Sequence, residues 1–313
     1  MSTVNLDDIE RAADRIKDRV RRTPCLRNRF SLNPVHECSV MLKLECLQVT
    51  GSFKARGANN AILSLDDAAI DRGIITASGG NHGLAVAYAG RASGTTSVVY
   101  VAENTPPSKA EKIRQWGAEV VIEGEVWDDA NAAALIRAER DGLTFVHPFD
   151  DPAVIAGQGT VGREMMKQSS DIDTVIVAIG GGGLISGVAT AVKAMNPDVR
   201  VIGVEPVGAP TLKDSVAAGE LITVPKIETA ANTLAPRRSA DLNLAIIQEN
   251  VDEIVLVTDD EMRKAAQWLW FEMGIGAELS GAAALAVIKN RKIELASDAV
   301  VGAIICGAGT DGF

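Results

Sequence analysis

Two kinds of apolar pattern alternate along this chain. Short, nearly continuous runs of β-branched and aliphatic residues at 73–78, 97–101, 118–122, 173–178, 200–205 and 298–305 read as strands covered on both faces. Between them, apolar residues recur at helical spacing over 81–93, 108–116, 127–141, 157–168, 184–195, 259–272 and 280–290. Strand–helix alternation of this kind predicts an α/β fold built on mostly parallel sheets with helices on both faces. Asp259 or Asp260, and Ser108 behind Pro106 and Pro107, are placed to cap helix starts. The proline-flanked stretch His147-Pro-Phe-Asp-Asp-Pro152 reads as a seam between two α/β units. Residues 206–243, with four prolines and weak periodicity, predict a loop-rich lid or cleft wall.

At about 100–200 residues per domain, the 313 residues make two domains. An apolar fraction of 47% and a charged fraction of 23% argue against a disordered chain. The formal net charge of −10 argues against a nucleic-acid or anionic-membrane partner. No run of about 18 apolar residues predicts a membrane span, and the polar, charged start is unlike a secretory leader. Cys25, Cys38, Cys46 and Cys306 show no C-x-x-C spacing, so a cytoplasmic protein with reduced thiols is expected. His36, His82 and His147 are too scattered for a zinc cluster.

Two motifs bring in chemistry. In Val175-Ile-Val-Ala-Ile-Gly-Gly-Gly-Gly-Leu-Ile-Ser-Gly187 a buried strand runs into four glycines and then a helix. Backbone N–H groups freed of side chains at a helix N-terminus suit a phosphate. The Gly-x-x-x-x-Gly-Lys-Ser/Thr loop is absent, and so is a strict Gly-x-Gly-x-x-Gly. Glu205, about twenty residues on, keeps a nicotinamide-dependent dehydrogenase open as a reading. The second motif sets Lys54 at a helix start directly after Phe53. A lysine that bonds covalently to a cofactor benefits from surroundings that lower its pKa and from a nearby anchor for the cofactor's phosphate.

Thr50-Gly-Ser-Phe-Lys-Ala-Arg-Gly57, Ser78-Gly-Gly-Asn-His-Gly83, the 180–183 glycine run and Glu278-Leu-Ser-Gly-Ala-Ala283 occur in an order and spacing that resemble the fold-type-II pyridoxal-phosphate enzymes. Within these, the chain resembles the threonine/serine dehydratase and serine racemase family, from about Ile9 to Gly309. The resemblance implies two open, mostly parallel-sheet α/β domains of the tryptophan synthase beta-like type. Residues 1–65 and 152–313 would form a large domain and 66–151 a small one, with pyridoxal 5'-phosphate in the cleft between them. It also implies a homodimer. With the sequence ending at Phe313, the extra C-terminal domain of biosynthetic threonine dehydratases is not expected, which resembles the short catabolic members.

Roles follow position by position. Lys54 would hold the cofactor covalently and then take the substrate Cα proton. Phe53 would pack beside the pyridine ring, and Asn81 would bond the ring hydroxyl. Gly180, Gly181, Gly182, Gly183 and Leu184 would hold the phosphate, Glu278 would stand near the cofactor, and Cys306 would face the ring nitrogen as a neutral thiol. Ser78, Gly79, Gly80, Asn81 and His82 would bind the substrate carboxylate at a helix N-terminus, His82 through its backbone.

Two departures bear on substrate and metal. Ala231-Asn232-Thr233 stands where relatives read Ala-Asp-Gly, and Arg237 and Arg238 follow, suited to a second carboxylate or simply solvated. The family's divalent-cation site resembles Glu205 with Ala209, but Thr211 replaces its aspartate, so metal dependence stays open. The implied reaction is elimination from a small β-hydroxy L-amino acid, by default L-threonine or L-serine, to a 2-keto acid and ammonia. Serine racemase, and an ammonia-lyase for hydroxyaspartate or a bulkier substrate, are the alternatives; a catalytically dead binding protein of this fold is a further rival. Gly79 occupies the position where serine racemases carry the serine that works opposite the lysine, so elimination without racemisation is expected.

Overall fold

The computed structural model describes residues 4–311. The outermost ends of the expected large domain, 1–3 and 312–313, lie outside the described residues. The chain begins with α1 (Leu6–Ile16), β1 (Cys25–Arg27), β2 (Ser39–Lys43), α2 (Lys54–Ile62) and α3 (Asp67–Arg72). It continues with β3 (Ile74–Ala77), α4 (Asn81–Ser93), β4 (Ser97–Val101), α5 (Pro107–Gln115), β5 (Glu119–Ile122), α6 (Trp127–Asp141) and β6 (Thr144–Phe145). Then come α7 (Pro152–Gln168), β7 (Thr174–Ala178), α8 (Gly183–Met195), β8 (Arg200–Pro206), α9 (Thr211–Ala218) and α10 (Asp241–Asn250). The last elements are β9 (Glu253–Val257), α11 (Asp259–Met273), α12 (Leu279–Lys289) and β10 (Val300–Ile304).

Two sheets result. One has four parallel strands in the order β5-β4-β3-β6; the other has six in the order β1-β2-β10-β7-β8-β9, parallel except where β1 pairs antiparallel with β2. Strands β3, β4 and β7 are buried on both faces, which is why they are continuous apolar runs. The last strand inserts between β2 and β7, with Ile304 beside Lys43 and Ala303 beside Ile176. This insertion puts three carboxyl ends side by side, and the segments leaving them carry Lys54, Cys306 and the glycine run. Open α/β sheets place ligands at such ends.

Close helix crossings fix the helix that begins with Lys54. A Cβ on Gly157 of α7 would lie 2.6 Å from Gly57 Cα of α2, so both positions need glycine. Beneath the crossing lies a buried ion network. Arg56 donates to both oxygens of Glu45 at 2.7 and 2.8 Å, and Lys43 donates to Glu164 at 2.6 Å and to Gln168 at 2.9 Å. Burial works against ionised Glu45, but the Arg56 guanidinium outweighs it and holds the carboxyl below its ordinary range.

Several expectations need correction. Helix α7 starts at Pro152 rather than at 157, because Asp151 caps it by accepting from the amides of Ala153 and Val154. The cap of α11 is Thr258, in a reciprocal box with Glu261, rather than Asp259 or Asp260. Helix α5 opens on Pro107 with no side-chain cap from Ser108. The supposed loop 206–243 contains α9, a 3-10 turn at Asn232–Leu234 and the start of α10. Among the described residues no helix is long and apolar enough to cross a membrane, and all four cysteines are free.

Candidate active site

Three chain segments are knitted together at the carboxyl ends of β2 and β10. Ser52 bridges to Gly307 and Ala277 to Ala308, while the Phe53 amide donates to Cys306 O at 3.2 Å. Lys54, the first residue of α2, is half-buried there. Its Nζ donates to Pro148 O at 2.7 Å and lies 5.3 Å from the centre of the Phe53 ring. Burial strips water from the ammonium and holds its pKa down to about 8, against an ordinary 10.5.

Its neighbours are neutral. His82 Nε2 meets Val146 O at 3.0 Å, so that nitrogen carries the proton. His82 Nδ1 is buried with no partner, and burial, reinforced by the charge on Lys54, pushes the imidazole down to about 3. His147 Nδ1 accepts from the amides of Phe149 and Asp150, and the same two causes push it down to about 4. Burial raises the Cys306 thiol far above its ordinary range, so it stands as neutral sulfur.

The glycine run enters α8 through Gly182 at φ +98, a left-handed conformation that favours glycine, and no side chain caps the helix. Its first-turn amides are therefore free to meet an anion. Packing also explains the glycines: a Cβ on Gly181 would lie 2.1 Å from Phe149 Cδ1, and one on Gly180 2.6 Å from Thr233 O. Asn243 ties this wall together, donating to Phe149 O at 3.1 Å and Gly181 O at 3.2 Å, while the Ser239 hydroxyl also donates to Gly181 O. Leu184, in the first turn of α8, is buried.

On the other side, α4 begins at Asn81 with Gly80 at its N-cap and no side-chain cap. Ser78 Oγ accepts from the Gly80 amide at 3.3 Å. Asn81 Nδ2 donates to Glu278 Oε1 at 2.8 Å, which links this loop to α12. Burial and the neighbouring Asp311 push Glu278 up to about 7. A Cβ on Gly79 would lie 2.6 Å from both Cγ2 and Oγ1 of Thr105, so a side chain there would require Thr105 to shift.

Thus direct contacts bring together Phe53 and Cys306, Asn81 and Glu278, and, through Thr233, Glu278 and Gly180. Pyridoxal 5'-phosphate fits this donor set: an amine of lowered pKa, uncapped helix amides for a phosphate, an amide side chain and a neutral thiol. The cation pair does not gather in the same way. Both oxygens of Glu205 accept from backbone amides of α9, Leu212 and Lys213, each at 2.8 Å; Ala209 is buried, and the Thr211 hydroxyl donates to Pro236 O. Burial pushes Glu205 up to about 7. Among the described residues no group of three His, Cys, Asp or Glu side chains is placed to hold a metal ion. Arg237 and Arg238 brace the segment 221–224 through Val224 O, Leu221 O and Thr223 Oγ1.

Thr233, singled out in the sequence as a departure bearing on substrate, stands at this wall, whereas sequence reasoning missed Pro148, Phe149, Ser239 and Asn243. One signal was available: the seam 147–152 joins a predicted strand–helix unit to the next, where cleft residues concentrate.

The profile of the family described as "Pyridoxal-phosphate dependent enzyme" matches residues 16–307. An L-threonine ammonia-lyase of Geobacter sulfurreducens is 41% identical over 91% of this chain and 71% of its own length. A serine racemase of Dictyostelium discoideum is 39% identical over 99% of this chain and 96% of its own. The structure of maize serine racemase superposes with a TM-score of 0.93 at 34% identity, covering 98% of this chain and 94% of that one.

Proposed function

The chain belongs to the pyridoxal-phosphate-dependent enzyme family, and from that premise we propose that it is an ammonia-lyase that eliminates water from L-serine or L-threonine. The observation that carries the reading is Lys54, an amine whose pKa is lowered to about 8 in a cleft lined by uncapped helix N-termini. The threonine ammonia-lyase relative supports the same reaction class.

When bound, pyridoxal phosphate withdraws electrons from the substrate Cα. The amides at the start of α8 would hold its phosphate, Asn81 would hold its ring hydroxyl, and the neutral Cys306 thiol would accompany its ring nitrogen without adding charge. The amides of Gly79 to His82 hold the substrate carboxylate at the positive end of α4. Lys54, released to its neutral form, takes the Cα proton. The β-hydroxyl leaves as water, and the resulting enamine hydrolyses to a 2-keto acid and ammonia.

Racemisation needs a second proton-carrying group opposite the lysine. Position 79 offers no side chain, and the serine racemase relatives therefore do not decide the activity. The same reading keeps 66–151 as a small domain, supported by a four-stranded sheet lying wholly within it, and takes the working form as a homodimer.

A panel of β-hydroxy amino acids tests the proposal. Equal amounts of 2-keto acid and ammonia are expected from L-serine or L-threonine, and neither from the Lys54→Ala enzyme. Absence of both products across the whole panel would overturn it.

A further inference from the structure

Thr233 is where the two loops of the cleft meet. It belongs to the 3-10 turn Asn232–Leu234 and is itself exposed. A Cβ built on Gly80, in the loop read as binding the substrate carboxylate, would lie 4.0 Å from Thr233 Cγ2. Its own carbonyl oxygen would lie 2.6 Å from a Cβ on Gly180, in the run read as binding phosphate. Its hydroxyl reaches Glu278 Oε1 at 3.4 Å and sits in short contact with Ser280 Oγ. Ser280 can donate to Thr233, Thr233 to Glu278, and Asn81 donates to the same Glu278 oxygen. The turn is thus tied by one side chain to the α12 start while its methyl group faces the carboxylate loop.

We propose that Thr233 is the specificity-determining residue of the cleft, its hydroxyl fixing the turn against Glu278 and Ser280 and its methyl limiting the group a substrate can carry on Cβ. An amino acid held by its carboxylate at 79–82 would lie beside Gly80, and Thr233 Cγ2 is the apolar group facing that glycine. The cationic side chains in this stretch face elsewhere, with Arg237 and Arg238 bonded to the 221–224 segment. The methyl at this place therefore favours amino acids that carry a small group on Cβ. This inference rests on the ammonia-lyase reading for its substrates.

Two substitutions separate the methyl from the hydroxyl. Thr233→Ser keeps the hydroxyl and removes the methyl; Thr233→Val keeps the bulk and removes the hydroxyl. The holoenzyme is titrated by calorimetry with L-alanine, L-2-aminobutyrate and L-valine, which have no β-hydroxyl to eliminate. Thr233→Ser is expected to improve binding of valine relative to alanine by about tenfold, the scale of one methyl group in a pocket, and to shift kcat/KM from L-serine toward L-threonine in step. Thr233→Val is expected to weaken all three ligands together and leave their ratios as in the wild type. An unchanged valine-to-alanine ratio in Thr233→Ser overturns the proposal, and so does a Thr233→Val enzyme that broadens as far as Thr233→Ser. Because the titrations need no turnover, an enzyme that binds with this selectivity but releases no keto acid would sink the lyase reading and leave this one standing.

Discussion

Lys54 and Glu278 are both pushed toward neutrality by burial, and each has a measurable consequence. Only the neutral lysine can attack the cofactor aldehyde, so capture of pyridoxal phosphate by the apoprotein should quicken as pH rises toward 8 and level off above it. Stopped-flow absorbance would give that midpoint; one near the ordinary 10.5 would show that the amine is not desolvated. Lys54→Arg, which stays cationic, should capture none. For Glu278 the sign is opposite. Its folded pKa, about 7, lies above the ordinary 4.5, so its stabilising contribution is full below 4.5 and is lost as pH rises through 7. Apoprotein Glu278→Gln keeps the acceptor for Asn81 and removes the titration. It should gain on the wild type between those pH values by up to about 3 kcal/mol, the worth of such a shift. Parallel denaturant midpoints across that range would contradict this.

At the scale of elements, legibility followed how local each signal is. Helices α4 and α6 begin and end where their apolar periodicity does, and β4 matches its Val-Val-Tyr-Val run. Helix α9 was illegible because its start carries no cap of its own: Pro210 precedes it, and the carboxylate that satisfies its amides belongs to Glu205, on the preceding strand. Edge strand β1 is only Cys25–Arg27, too short to show a period, whereas β9 carries an Ile-Val-Leu-Val run as apolar as its neighbours and is absent from the predicted elements without a physical reason. Of the site, the lysine, glycine and asparagine positions were readable as motifs. Phe149 and Asn243 were not, because they matter through contacts with loops distant in sequence. Glu205→Ala should leave two amides of α9 without acceptors and lower stability by about 1–3 kcal/mol for each buried donor so stranded. Equilibrium urea unfolding measures it, and an unchanged midpoint would mean that Glu205 does not hold α9.

The whole molecule brings one lysine, two helix N-termini and a neutral thiol to the carboxyl ends of two sheets, and the proposed reaction asks only Lys54 to move a proton at Cα. A relative that is an ammonia-lyase and another that is a serine racemase share this frame, so the distinction rests on what lies opposite Lys54. Gly79 is crowded by Thr105, and a Gly79→Ser enzyme would need Thr105 to shift to seat its hydroxyl. The most direct measurement follows L-serine through the purified holoenzyme, with pyruvate assayed and the residual serine resolved by chiral chromatography in the same sample. Pyruvate should accumulate while the residual serine stays in the L form. D-serine forming as fast as pyruvate would contradict the account and direct attention to the Thr105 hydroxyl as the second proton carrier.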